Sequence, residues 1–114
     1  MKFKVITLVE NAVTQSSKKL IGEHGLSFYI EAGDRRILFD TGQDSALAHN
    51  AKVLGIDLSQ LDSVVLSHGH YDHSGGLRSL LGCNPDFTLY AHPDVFGEKV
   101  KGADKKLKYI WNTL

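Results

Sequence analysis

The fold can be inferred from one short stretch of this chain, Ser67-His68-Gly69-His70-Tyr71-Asp72-His73-Ser74-Gly75-Gly76. The stretch carries three imidazoles and one carboxylate, and it follows an apolar run, Ser63-Val64-Val65-Leu66, that predicts a buried strand. Imidazole nitrogen and carboxylate oxygen are the ligands that a cation such as Zn²⁺ prefers. The stretch is therefore interpreted as a metal-binding loop at the end of a strand, in preference to a solvated loop that happens to be rich in histidine.

The spacing of the four ligand-type residues separates them into two pairs. Side chains two residues apart on an extended backbone point the same way, so His68 and His70 can bind one ion. Asp72 and His73 come after the chain has begun to turn, so they need not point at that ion. The pattern suggests two adjacent metals.

Composition limits the classes of protein to consider. With 114 residues, 42% of them apolar and 23% charged, the chain is expected to form one globular domain, residues 1–114. The 13 basic and 13 acidic residues balance, so nothing favours a nucleic-acid partner. No run is apolar enough for a membrane span, and the alternating N-terminal segment is not expected to act as a signal peptide. The single cysteine, Cys83, excludes an internal disulfide framework, so the cytoplasm is the expected compartment.

The rest of the sequence predicts strands interleaved with helices. Strands are predicted at Phe3 to Val9, which has one clearly apolar face, at residues 26–31 and 36–39 around a hairpin turn, and at residues 87–91. A helix is predicted up to Leu54, with Asp44 or Ser45 as its cap and Gly55 at the C′ position. A shorter helix is expected from Gly76 to Leu81, ended by Gly82. Leu107, Tyr109 and Trp111 alternate as a last strand or a partner-facing edge, in a lysine-rich tail interpreted as solvated surface. Together these elements predict a mixed α/β sheet with helices on at least one face.

Two motifs of the chain resemble the metallo-β-lactamase superfamily. The H-x-H-x-D-H signature of that superfamily is matched at His68, His70, Asp72 and His73, and its first motif at Asp40-Thr41-Gly42. Further segments, Glu23-His24-Gly25-Leu26-Ser27 and His49-Asn50-Ala51, resemble the branch of β-lactamase superfamily II metal-dependent hydrolases. That branch includes dihydropterin-(ribofuranosyl)aminobenzene-phosphate synthases.

The resemblance implies a fold, a chemistry and a set of site residues. The fold would be an αββα sandwich, of which this chain covers about one half, and the activity would be hydrolysis of an ester, amide or phosphoester by metal-activated water. His68 and His70 would bind the first metal and Asp72 and His73 the second, with zinc expected and manganese or iron as alternatives. Asp72 would also accept a hydrogen bond or a proton from the water, as the catalytic residue. Asp40 would orient the metal loop from beneath, or else simply cap the helix after Gly42.

Three further histidines lie outside the signature. His24 precedes the strand at Leu26 and could approach a small-molecule substrate, and His92 follows residues 87–91 and could lie near the cleft. His49 falls between core positions of the predicted helix, so it is interpreted as a structural residue.

The sequence departs from the superfamily in one respect. Members carry a second, similar half that supplies further His and Asp ligands, whereas this sequence stops at Leu114. One face of the sheet should then be apolar and uncovered, and a second copy, a partner or a missing segment should cover it. Self-association of the chain is expected. Two other functions remain open: a truncated metal-binding or oligomerising module without turnover, and transfer chemistry on a pterin or phosphoribosyl substrate.

Overall fold

A computed structural model gives the chain a mixed sheet with helices packed on one of its faces. It describes residues 2–11, 19–84 and 86–92, together with the backbone of residues 107–109. The strands are β1 (Phe3–Val9), β2 (Ser27–Ala32), β3 (Arg35–Phe39), β4 (Ser63–Val65), β5 (Thr88–Ala91) and β6 (Leu107–Tyr109). The helices are α1 (Ala46–Val53), α2 (Tyr71–Ser74) and α3 (Leu77–Cys83), with a 3₁₀ turn at Leu58–Gln60.

The strands lie in the sheet in chain order, β1 to β6. β1, β2 and β3 pair antiparallel, and Gly33, with φ 64°, lies in the predicted turn of the β2–β3 hairpin. From β3 onward the pairing is parallel. Because parallel strands end at the same edge of a sheet, the residues that follow β3, β4 and β5 lie beside one another.

The core lies between the sheet and the helices. Tyr29, Leu38, Val64 and Leu89 are neighbours on adjacent strands, and all four are buried. Side chains from the helices complete the same apolar cluster, among them Leu47 and Ala51 of α1 and Leu80 of α3. Each such aliphatic side chain contributes about 1.5–3 kcal/mol when it is removed from water.

The opposite face of the sheet is apolar and poorly covered. This open face consists of Phe3, Val5, Phe28, Ile30, Ile37, Phe39, Val65 and Tyr90, each exposed or only half-buried. Phe3 and Val5 are 68% and 60% exposed, and the rings of Phe28 and Phe39 stack at 6.4 Å between centroids. Of the apolar face predicted for Phe3 to Val9, Phe3 and Val5 therefore point away from the helices, whereas Val9 lies beyond a register shift and is buried in the core. The expectation of an uncovered apolar sheet face is confirmed for the residues of the open face.

The prediction for the start of α1 was wrong about which side chain accepts the capping hydrogen bonds. Ser45 stands at the N-cap position, but its side chain makes no capping hydrogen bond. The carboxylate of Glu23 accepts instead from the backbone N–H groups of Gln43, Asp44 and Ala46, at 2.8, 2.9 and 3.2 Å. At the other end Gly55, with φ 74°, follows the last helical turn as predicted.

The predicted end of the following helix was also wrong. α3 continues through Gly82 to Cys83, because Gly82 lies at the surface and can adopt helical angles like any residue. Asn84 ends the helix: its backbone is extended, and its side-chain amide donates to the carbonyls of Leu58 and Leu61 at 3.0 and 3.2 Å. Asn84 directly precedes Pro85 in the sequence, and a proline disfavours helical angles at the residue before it. A local signal therefore favours this boundary, and the contacts of the Asn84 side chain hold the extended residue in place.

Of the predictions for the C-terminal part of the chain, the structure tests the one for a last strand. The backbone of residues 107–109 forms β6, as the expected last strand requires, while Trp111 and most of the lysine-rich tail lie outside the described residues. Among the helices that the structure describes, none has the length and apolar character needed to cross a membrane.

Candidate metal centre

The histidine-rich segment lies at the edge of the sheet where β3 and β4 end. His70 has an extended backbone, with φ −61° and ψ 141°, and immediately precedes α2. Asp72 and His73 lie in α2 itself, so the chain turns between the two predicted ligand pairs as expected.

The structure brings all four predicted ligand residues together. The imidazole centroids of His68 and His70 are 4.6 Å apart, and those of His68 and His73 are 4.1 Å apart. Potential ligand atoms of His68, His70 and Asp72 all lie within 4.8 Å of one another. His73 joins this cluster through its Nε2, which is 3.7 Å from Oδ2 of Asp72. The assignment of the residues to a first and a second metal stays a prediction.

Asp40 lies beneath the cluster and contacts it directly. Its Oδ1 accepts from the backbone N–H of Ser67 at 2.7 Å, and its Oδ2 lies 2.6 Å from Ser67 Oγ and 2.8 Å from His73 Nδ1. The residue is fully buried. Both oxygens are therefore engaged within the protein, which favours the supporting role. The alternative, a simple cap for α1, does not hold, because the carboxylate of Glu23 accepts the hydrogen bonds from the N–H groups at the start of that helix.

Ser67 is a site residue that the sequence analysis missed. Its hydroxyl lies between Oδ2 of Asp40 and Nδ1 of His68, at 2.6 and 2.7 Å. A hydroxyl carries one proton, so a Ser67 that donates to the Asp40 carboxylate must accept from Nδ1–H of His68. Nε2 of His68 is then left as a free lone pair for an ion. The only sequence signal was its place directly before His68, which does not reveal where its side chain points.

The same argument applies to His73. Its Nδ1 faces the Asp40 carboxylate, an acceptor, so Nδ1 carries the proton, and in the neutral ring Nε2 bears the lone pair. Asp40 thus fixes the tautomer of His73 directly and that of His68 through Ser67. Hydrogen bonds of this kind behind metal-binding histidines orient the ring and raise its basicity.

The two glycines after the motif are required by close packing. A Cβ on Gly75 would collide with the carbonyl oxygen of Gln43, and one on Gly76 with that of Thr41. Hydrogen bonds from backbone N–H groups join the same segments: Thr41 donates to the backbone carbonyl of His73 at 2.7 Å, and Gly76 donates to the side-chain Oγ1 of Thr41 at 3.0 Å. The Asp40 loop and the histidine segment therefore form one packed unit.

The three histidines outside the signature have different positions. His24 reaches the cluster: its Nε2 is 3.1 Å from Oδ2 of Asp72. His92 is half-buried just after β5, at the same edge of the sheet, and its contact with substrate stays a prediction. His49 is exposed on α1, where a ring nitrogen lies 2.7 Å from the Lys19 carbonyl, as the structural interpretation requires.

The donor set of the cluster fits a transition-metal ion. It offers imidazole nitrogens and a carboxylate oxygen, with two of the rings held from behind through Nδ1. Zinc, manganese and iron all accept these ligands. The residues that would hold the ion are His68, His70, Asp72 and His73.

Comparison with known proteins agrees with this geometry. Residues 20–85 match the sequence model of the family described as the metallo-beta-lactamase superfamily. The chain belongs to this superfamily. The matched region begins before β2, includes α1 and ends after α3, so it contains both the Asp40 loop and the histidine motif.

Several individual relatives are similar to this superfamily member. One is the 7,8-dihydropterin-6-methyl-4-(beta-D-ribofuranosyl)-aminobenzene-5'-phosphate synthase of Methanocaldococcus jannaschii, 37% identical over 82% of this chain and 33% of that protein. Another is the thioesterase pkgB of Emericella nidulans, 35% identical over 60% of this chain and 21% of that protein.

Among solved structures the chain resembles Tm1679, a metal-dependent hydrolase of the beta-lactamase superfamily. The TM-score is 0.70 at 27% identity, over 96% of this chain and 42% of that one. The α/β metallo-β-lactamase fold is therefore shown, and the chain spans less than half the length of these relatives.

Proposed function

We propose that this chain is the metal-binding part of a metal-dependent hydrolase, with zinc held in a dinuclear site by His68, His70, Asp72 and His73. The observation that carries the proposal is the hydrogen-bonded group of Asp40 and Ser67 behind the histidines. It leaves Nε2 of both His68 and His73 as a free lone pair. In a solvated loop that is merely rich in histidine, no buried carboxylate is expected to hydrogen-bond the rings and so select their tautomers.

The proposed site lies at an accessible edge of the sheet, where water and a substrate could reach bound ions. Bound ions would supply Lewis-acid activation of water and of an ester, amide or phosphoester oxygen. Asp72 has a carboxylate that can accept a proton or a hydrogen bond from water at the site. His70 is exposed, and His24 and His92 lie at the rim, where they are proposed to contact a small-molecule substrate. A relative named as a thioesterase supports attack on a carbonyl carbon.

A second candidate function is transfer chemistry. The relative with 37% identity is named as a synthase for a ribofuranosyl-aminobenzene phosphate. This similarity supports a substrate that carries a pterin or a phosphoribosyl group. Assays with a phosphoribosyl donor and with simple thioesters, run side by side, separate the two functions.

Completion of the site in an assembly forms part of the proposal. Four ligand residues without further donors should hold zinc weakly, so turnover would require a second copy or another segment at the open face. Without such completion the chain would act as a metal-binding or oligomerising module with no turnover.

The cytoplasm is proposed as the compartment, because one cysteine provides no disulfide framework.

His70→Ala tests the metal assignment. His70 is exposed and belongs to a loop, so its loss should lower zinc content per chain while the thermal unfolding of the metal-free protein stays close to wild type. Elemental analysis of protein equilibrated with zinc provides the measurement, and His49→Ala is the matched control on α1. Full metal stoichiometry in His70→Ala would show that His70 is not a ligand.

A further inference from the structure

The exposed ring of His24 contacts one of the proposed metal ligands. Its Nε2 lies 3.1 Å from Oδ2 of Asp72, a hydrogen-bond distance. The two side chains differ in exposure: His24 is 72% exposed and Asp72 only 23%. The histidine therefore covers the carboxylate from the solvent side.

The backbone around His24 is fixed to the same aspartate. Leu26 N–H points to the carbonyl oxygen of Asp72 at 3.4 Å. Gly25 packs so closely that an added Cβ would collide with that carbonyl, and its φ of 132° favours glycine. The loop is also held from its other side, because Gly25 N–H donates to Oδ1 of Asn11 at 3.0 Å. The approach of His24 to Asp72 is therefore built into the loop.

The carboxylate of Asp72 lies between two histidines that are anchored independently. Nε2 of His73 is 3.7 Å from Oδ2 of Asp72, and His73 is held by Asp40. His24 is nearer to the same oxygen and is held by the loop at Gly25. A carboxylate on a short, half-exposed helix would otherwise rotate among several side-chain conformations.

We propose that His24 is a positioning residue for Asp72. Its Nε2–H donates to Oδ2, so that the carboxylate keeps one orientation and presents its other oxygen to an ion. This inference rests on the proposed function, because it assigns to His24 a role only if Asp72 is a metal ligand. His24 acts through Asp72 and is not itself a ligand.

A double-mutant cycle with cobalt tests the proposal. Co²⁺ is titrated into the full chain, and the visible absorption of the bound ion is followed for wild type, His24→Ala, Asp72→Ala and the double variant. His24→Ala should weaken the Asp72-dependent binding by about tenfold or more and change the absorption spectrum, as loss of a partner behind a ligand does. In the Asp72→Ala background the same substitution should have no further effect, because the residue it orients is absent.

Two further variants make the outcome specific. His24→Gln keeps an N–H donor at a similar reach and should restore most of the cobalt affinity, whereas His49→Ala on α1 should match wild type. Equal losses from His24→Ala with and without Asp72, wild-type affinity in His24→Ala, or no recovery in His24→Gln would each overturn the positioning role. A wild-type chain that binds no cobalt would instead overturn the proposed metal site itself, and the positioning role with it.

Discussion

Asp40 adopts a backbone conformation that is uncommon for residues with a side chain. Its φ is 61°, in the left-handed region, where an L-residue costs about 1–2 kcal/mol. The residue is fully buried and uses both carboxylate oxygens in hydrogen bonds to Ser67 and His73. These hydrogen bonds therefore offset the cost of the backbone angle, and the bond to His73 also holds that ring in one orientation.

Replacing Asp40 by Asn should weaken metal binding, although the new side chain has nearly the same size and shape. An amide has one oxygen, so it cannot accept from Ser67 N–H, Ser67 Oγ and His73 Nδ1 together. We expect zinc affinity to fall by about 10–100-fold, measured by competition with a chelator. Asp44→Asn, at an exposed position in the loop that leads into α1, is the control. Equal affinities in the two variants would argue against a supporting role for Asp40.

Ser67 permits a finer test of the tautomer argument. Ser67→Ala removes the hydroxyl that accepts from His68, so His68 should populate both tautomers and bind zinc several-fold more weakly. Nitrogen NMR shifts of the imidazoles measure the tautomers directly. Ser67→Thr keeps the hydroxyl and should restore the wild-type pattern, and Ser79→Ala on the exposed side of α3 is the control. An unchanged His68 spectrum in Ser67→Ala would contradict the argument.

Among the elements, α1 has its N-terminal N–H groups capped by a residue that is distant in the sequence. Its first turn contains no acidic side chain, and Glu23 supplies the negative charge and the acceptors from a separate loop. The same loop carries His24 and Gly25. Glu23 therefore connects the position of α1 with the position of the segment that contacts Asp72.

Substitution of Glu23 by Gln should destabilise the fold. The amide keeps one oxygen but loses the charge that favours a helix N-terminus, so the free energy of unfolding should fall by about 1–2 kcal/mol. Chemical denaturation followed by circular dichroism provides the measurement. Glu10→Gln, at an exposed position after β1, should have little effect. A stability of Glu23→Gln equal to that of the control would show that the charge of Glu23 contributes nothing to the stability of the fold.

The elements also show which features a sequence can predict. The β2–β3 hairpin, the strand before the histidines and the C-terminal end of α1 depend on local patterns, and the structure contains all three. The cap by Glu23 and the role of Ser67 depend on contacts between segments distant in sequence. The types of the ligand residues were visible in the motif, but the hydrogen bonds that orient them were not.

At the scale of the whole molecule, the open face is the feature that most affects behaviour in solution. Apolar side chains from β1 to β5 lie on this face, exposed or half-buried. Surfaces of this kind usually mark an interface. We propose that isolated chains associate through the open face.

A charge placed on the open face should separate the copies. Val5→Lys puts an ammonium group at a strand position that is 60% exposed, so it should lower the molecular mass measured by light scattering without unfolding the sheet. Ala48→Lys adds the same charge on the exposed side of α1 and should leave the mass at the wild-type value. A wild-type chain that is monomeric at high concentration would rule out self-association.

The hydrogen bonds between Asp40, Ser67 and His73 join the ends of two parallel strands whose residues are far apart in the sequence. An ion bound above them would favour the folded chain over the unfolded chain, by about 2.7 kcal/mol at a hundred times its dissociation constant. The lifetime of this protein in a cell would then follow the supply of metal. Under metal starvation a larger fraction of the chains would be open to proteases, and the amount of protein would fall even if its synthesis did not change.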